Sequence, residues 1–230
     1  MKKFAAFLLT LIMVISLAAC AGNGEPAETN FSDVESSAAE YAPETEASQS
    51  DETENAESAS ETETEAEGTK VLVAYFSATG TTKGVAEHIA NGLNADIYEI
   101  VPEAPYTDAD LNYNDNNSRT TIEMNDPSAR PAISGSVENM DQYDIVFLGY
   151  PIWWGEAPRI ISTFVESYDF SGKTIVPFCT SGGSGIGSSA SNLEKLTEGA
   201  TWIDGQRLNG SDSQDTVMEW VNSLGLNLGE

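Results

Sequence analysis

Short apolar runs alternate with segments of helical period from residue 70 onward, and the alternation predicts strands and helices in turn. Residues 70–76, Lys-Val-Leu-Val-Ala-Tyr-Phe, read as a strand buried on both faces. Further strands are expected at 96–101, 143–149, 174–179 and 201–203. Between them, residues 82–93 place Val85, Ala86, Ile89, Ala90 and Leu93 on one side of a helix. Helices are also expected at 157–168, 188–196 and 214–224. Such a sequence of elements defines an α/β domain, a parallel sheet covered on both faces. Residues 102–140 are long for one connection and must hold the second helix plus loop.

The pattern before residue 70 is different. Lys2 and Lys3 precede an apolar run over 4–18, about 15 residues and short of the ~20 that span a bilayer. Leu17-Ala18-Ala19-Cys20 follows and resembles the lipobox of bacterial lipoproteins, which implies a signal peptide over 1–19 and lipidation at Cys20. The alternative is an ordinary cleaved signal. Residues 20–69 are then a lipid-anchored linker with few large apolar side chains, expected to stay disordered. Residues 21–69 hold 15 of the chain's 37 acidic residues and no Lys or Arg. The remaining 22 acids and 8 bases give residues 70–230 a net charge of −14. Charge of this sign excludes nucleic acid as a partner. With Cys179 the one thiol besides Cys20, and His88 the single histidine, neither an intrachain disulfide nor a zinc centre is expected.

In parallel sheets, ligands sit beyond the carboxyl ends of the strands. Three loops occupy that position. Ser77-Ala78-Thr79-Gly80-Thr81-Thr82 runs into a helix, and its small residues, hydroxyls and helix N-terminus suit an anion. The same residues also fit a plain turn with a threonine cap. Tyr150-Pro151-Ile152-Trp153-Trp154-Gly155 places paired tryptophans at a strand end, where they stack on a planar ligand or pack against core or partner. Thr180-Ser181-Gly182-Gly183-Ser184-Gly185 allows backbone to approach a ligand edge. Ser188 breaks the dinucleotide fingerprint that the glycines at 183 and 185 would begin. Cys179 reads as a packing residue, His88 as structural or solvated, and Arg119 and Arg130 as partners of acids within the domain.

Taken in this order, the loops resemble the flavodoxin family over residues 70–230, about 70% of the chain. Ser77, Thr79, Gly80 and Thr82 match the family's Ser/Thr-x-Thr-Gly-x-Thr phosphate motif. Residues 149–155 look like the ring-binding loop of a reductase-like subgroup. The resemblance implies a doubly wound, five-stranded sheet of order 2-1-3-4-5 and non-covalently bound FMN. It implies that residues 77–82 hold the phosphate, Pro151 to Gly155 flank one side of the isoalloxazine, and Thr180 to Gly185 line its other edge. No metal and no protein catalytic residue is required, since the cofactor carries the redox chemistry.

The third loop lacks the tyrosine and acids that electron carriers of the family place there. An open flavin face would suit an extracytoplasmic reductase of small oxidised acceptors such as quinones, with NAD(P)H as a candidate donor. A tyrosine from the long connection, Tyr106 or Tyr113, would instead fill the role and suit a one-electron carrier. A flavin-free binding module on the same scaffold is the third reading. Expected partners are a small-molecule or protein electron donor and acceptor, with the membrane reached only through the lipid anchor.

Overall fold

The computed structural model describes residues 68–228, so Cys20 and nearly all of the acidic linker lie outside the described residues. Strands β1 (Val71–Tyr75) and β2 (Asp96–Glu99) flank helix α1 (Thr81–Leu93) in the chain. Then come β3 (Val101–Pro102), α2 (Arg119–Asn125), β4 (Ile133–Ser134), β5 (Ile145–Pro151), α3 (Arg159–Glu166) and β6 (Thr174–Thr180). Helix α4 (Ser189–Glu194), β7 (Thr201–Trp202), β8 (Gln206–Arg207) and α5 (Gln214–Ser223) complete it. The main sheet has the order β2-β1-β5-β6-β7, with β8 also on β6, and every pairing in it is parallel. With β7 and β8 taken as one interrupted fifth strand, this is the expected order 2-1-3-4-5.

The break in the fifth strand has a local cause. The carbonyls of Lys173, Ile175 and Cys179 accept from Thr201, Ile203 and Leu208, so alternate residues of β6 face the fifth strand. Pro177 falls in that row and has no N–H to return. Opposite it, Gly205 approaches so closely that a Cβ would lie 2.4 Å from the Pro177 oxygen. The ladder therefore stops after Trp202 and resumes at Gln206.

Each face of the sheet is covered. On one, Val73, Phe147 and Phe178 pack with Val85 and Ile89 of α1 and Val217 and Val221 of α5. On the other, Leu72, Val146, Leu148 and Ile175 pack with Ile160, Ile161 and Phe164 of α3, Met124 of α2 and Leu193 of α4. Period-2 alternation on β1 and β5 assigns successive side chains to opposite cores, which is why these strands read as continuous apolar runs. No described helix is long and apolar enough to cross a membrane.

The connection at 102–140 contains more structure than a helix and a loop. Val101–Pro102 leaves the predicted second strand and pairs antiparallel with Ile133–Ser134. Arg119 donates to Glu123 at 2.6 Å and to the Ala104 carbonyl at 2.6 Å. Arg130 forms a two-pronged pair with Glu166 at 2.5 and 2.8 Å. Both arginines thus have acidic partners within the domain.

Candidate functional site

The three loops converge at the carboxyl end of the sheet on a cavity of about 340 Å³. Its lining includes Ser77, Ala78, Thr79, Thr81 and Thr82 from the first loop, Pro151, Ile152 and Trp153 from the second, and Thr180, Ser181 and Gly182 from the third. Leu111 and Tyr113 of the long connection complete it. Gly80, Trp154, Gly155, Gly183 and Gly185 belong to the same loops but do not line the cavity.

The first loop is not a capped turn. The residue that enters α1 is Gly80, at φ +85, a left-handed conformation that glycine takes without strain, and no side chain caps the helix. The first N–H groups of α1 therefore lack a side-chain acceptor, as they would at an anion site. Beside them, the buried Ser77 Oγ has no hydrogen-bond partner. The Thr82 hydroxyl is buried and lies 2.9 Å from the Thr180 hydroxyl, tying the first loop to the third. In such a pair one proton is used in the mutual bond and the other is free for a further acceptor. None of the residues lining the cavity is charged, so an anion here would be held by dipoles and hydroxyls.

The second loop forms a two-residue hairpin. Trp153 and Glu156 exchange backbone hydrogen bonds at 2.9 Å in each direction, with Trp154 at φ +49 and Gly155 at φ +83 between them. Two successive positive φ values mark the tight turn that Asn-Gly ordinarily fills. A tryptophan at the first position costs about 1–2 kcal/mol in backbone strain. Glu156 anchors the base of the hairpin by accepting from Ser188 at 2.9 Å and Asn192 at 3.0 Å.

The two tryptophans separate. Trp153 is 3% exposed and belongs to the core as well as to the cavity wall. Its indole meets the rings of Phe76 and Tyr106 edge-on, at 5.5 and 5.3 Å between centroids. Of the two readings open for the pair, core packing holds for Trp153, whose ring Phe76 and Tyr106 claim. Tyr106 is held in turn by its hydroxyl, which donates to Glu123 at 2.6 Å, and by the Arg119 guanidinium 4.0 Å above its ring. Trp154 remains outside.

In the third loop the Ser181 hydroxyl donates to the Ser184 carbonyl, and the Gly183 N–H donates back to Ser181 at 3.2 Å. The loop is closed on itself and presents small residues. Cys179, one residue before Thr180, is fully buried; burial pushes its thiol up to about 12, against a smaller opposite pull from Arg207. It is a packing residue. Leu111 carried no signal in the sequence, because nothing in a turn-rich stretch shows which residue folds back on a distant loop.

Fold and cavity together define a doubly wound α/β domain with a site for an anion and an adjoining apolar group at its carboxyl edge. A sequence model of the flavodoxin family matches residues 70–224, and the chain belongs to that family. A provisionally named flavoprotein from Bacteroides eggerthii DSM 20697 is 48% identical, with 69% of this chain and 99% of that chain covered at a TM-score of 0.65. A second, from Bacteroides uniformis ATCC 8492, is 46% identical over 67% of this chain and 99% of that one, also at 0.65. A flavoprotein from Lactobacillus acidophilus NCFM, solved in complex with FMN, shares the fold at 22% identity and a TM-score of 0.52, covering 67% of this chain and 99% of its own. No curated protein matches the chain.

Proposed function

We propose that the domain binds FMN non-covalently in this cavity and serves as an electron carrier. The observation that supports FMN most directly is the uncapped N-terminus of α1 with the partnerless Ser77 Oγ beside it. These groups fit a phosphate, and the Pro151–Ile152–Trp153 wall fits the apolar ring system beyond it. When bound, FMN supplies the redox chemistry. The chain's part is to hold the phosphate through Ser77 and the N–H groups of α1, and to keep water from the inner edge of the ring through Ile152 and Trp153.

Small residues in the third loop and an open flavin face would suit a reductase. Tyr113 and Leu111 border the same cavity, so cover is available from the long connection. That cover favours the carrier over a reductase of quinones.

The full-length chain purified in detergent should be yellow and release FMN on denaturation. A colourless protein that takes up no added FMN would sink the reading. Mixed anaerobically with NADH or NADPH, the flavin should stay oxidised, whereas photoreduction should pass through a stable one-electron form. Rapid bleaching by either nucleotide would instead establish the reductase. For location, the Leu17-Ala18-Ala19-Cys20 sequence supports anchoring at the outer face of the cell membrane. Cys20→Ser should abolish incorporation of labelled lipid and free the protein from membranes; continued labelling would exclude Cys20.

A further inference from the structure

The second loop contains a strained turn, with Trp154 at φ +49. Strain of this kind persists only where the surrounding structure holds it. The hairpin's own ladder is a single pair of backbone hydrogen bonds between Trp153 and Glu156. So short a pairing is not stable by itself. The grip comes from the Glu156 carboxylate. Its Oε1 accepts from Ser188 Oγ at 2.9 Å and from Asn192 Nδ2 at 3.0 Å, and its Oε2 accepts from the same Nδ2 at 3.0 Å. Lys195 Nζ donates to Asn192 Oδ1 at 2.8 Å, which fixes the end of the amide that faces the carboxylate. An ammonium, an amide and a carboxylate thus form one chain of hydrogen bonds.

The residues that hold Glu156 stand on a fixed support. Ser189 is fully buried; its hydroxyl donates to the Ile186 carbonyl at 2.6 Å and lies 3.1 Å from the Tyr150 hydroxyl of β5. Leu193 packs in the core. Ser188 stands where a serine ordinarily caps a helix, yet it makes no cap on α4, and its hydroxyl goes to Glu156. Glu156, Ser188 and Asn192 do not line the cavity, whereas Trp153, the backbone partner of Glu156, does. Ser188 lies just past the third loop. The carboxylate therefore joins the second loop to the third, as the Thr82–Thr180 contact joins the first to the third.

We propose that Glu156 is a positioning residue for the bound flavin: clamped to α4 by Ser188 and Asn192, it holds the ring-side hairpin in one shape and so sets the flavin's affinity and redox potential. The inference rests on FMN as the ligand and adds the device that fixes the loop beside its ring. A rigid contact interacts differently with the oxidised and the reduced ring. A loose one follows the ring in either state, distinguishes the two less, and shifts their equilibrium less.

The test is titration of the full-length protein with FMN and with riboflavin, below the melting temperature of every variant, together with redox titration of the bound FMN. Asn192→Ala opens the clamp without a change of charge. It should weaken both flavins about 3–10-fold, the equivalent of one ordinary hydrogen bond, and move the midpoint potential of bound FMN toward that of free FMN. Asn192→Asp sets two carboxylates against each other and should weaken both flavins further. Adding Glu156→Gln to Asn192→Asp restores one amide and one carboxylate in reversed order, and should return affinity and potential close to wild type. Unchanged affinity or an unmoved potential in Asn192→Ala would overturn the proposal, since a merely structural contact would lower only the melting temperature. A double variant that binds no better than Asn192→Asp would overturn it as well, as would a loss confined to FMN, which would put the fault at the phosphate. Failure of the wild-type protein to take up either flavin would defeat the FMN reading itself, an outcome distinct from these.

Discussion

Replacing Ser77 by alanine is expected to move stability and FMN affinity in opposite directions. In the ligand-free domain the Ser77 Oγ is buried without a partner. A buried hydroxyl in that state forfeits its hydrogen bonds to water, a cost of about 1–3 kcal/mol, and alanine removes it. The ligand-free Ser77→Ala protein should therefore gain roughly 1 kcal/mol, or about 2–4 °C in melting temperature. In the proposed FMN complex the same hydroxyl donates to the phosphate, and a hydrogen bond to a charged group contributes about 1.5–3 kcal/mol. FMN should bind about 10–100-fold more weakly, at about 1.4 kcal/mol per tenfold. Riboflavin, which lacks the phosphate, should bind almost unchanged. Calorimetric melting of the ligand-free protein and titration with both flavins give the two signs. If Ser77→Ala lowers affinity for both flavins equally, the hydroxyl does not face the phosphate; if it lowers the melting temperature, the hydroxyl has a structural partner.

The sequence revealed the part of this fold that a one-dimensional pattern can carry. Residues 71–75 and 145–151 are apolar on both sides because each side meets a helix layer, so they stand out as runs. Helix α1 was legible from the spacing of Val85, Ala86, Ile89 and Ala90. The pairing of Val101–Pro102 with Ile133–Ser134 was not legible, because two-residue strands have no period to detect and the paired residues lie 31 and 33 positions apart. The interrupted fifth strand was also missed. Pro177 was visible, but its consequence depends on which neighbour its missing N–H faces, and that follows only from the register.

The site divides along the same line. The phosphate loop is contiguous in sequence and ends in a helix N-terminus, so its composition and its geometry are one signal. The ring side is assembled from distant segments. Adjacent tryptophans gave no indication that one would enter the core and the other stay outside, because that outcome is set by Phe76 and Tyr106. Tyr113 was one of two tyrosines able to reach the site. Hydrogen bonding of Tyr106 to Glu123 and its packing on Trp153 leave Tyr113 for the cavity rim.

A large stability effect is expected of a small substitution at Gly149, on β5 just before the second loop. Its register partner on β6 is Phe178, whose side chain is fully buried on the α1 and α5 face. A Cβ on residue 149 would lie 2.2 Å from Phe178 Cζ and 2.6 Å from Cε2. The ring is fully buried, and Trp220 of α5, 6.4 Å away between centroids in the same core, limits its retreat. Glycine here is required by close packing: the ring occupies the volume that any side chain would need. Gly149→Ala should cost about 1–3 kcal/mol by overpacking, which lowers the melting temperature by roughly 3–10 °C in a domain of this size. Neither Gly149 nor Phe178 lines the cavity, so the folded fraction should bind FMN with affinity within a few-fold of wild type. Shortening the ring should offset the clash, and Gly149→Ala with Phe178→Leu should be more stable than the sum of the single changes predicts. The two residues share one contact, and coupling energies between such neighbours run about 0.5–3 kcal/mol. Thermal melts of the two single variants and the double variant supply the cycle. A Gly149→Ala protein that melts within 1 °C of wild type, or strictly additive changes, would show that the Phe178 ring is free to move and that the packing argument is wrong.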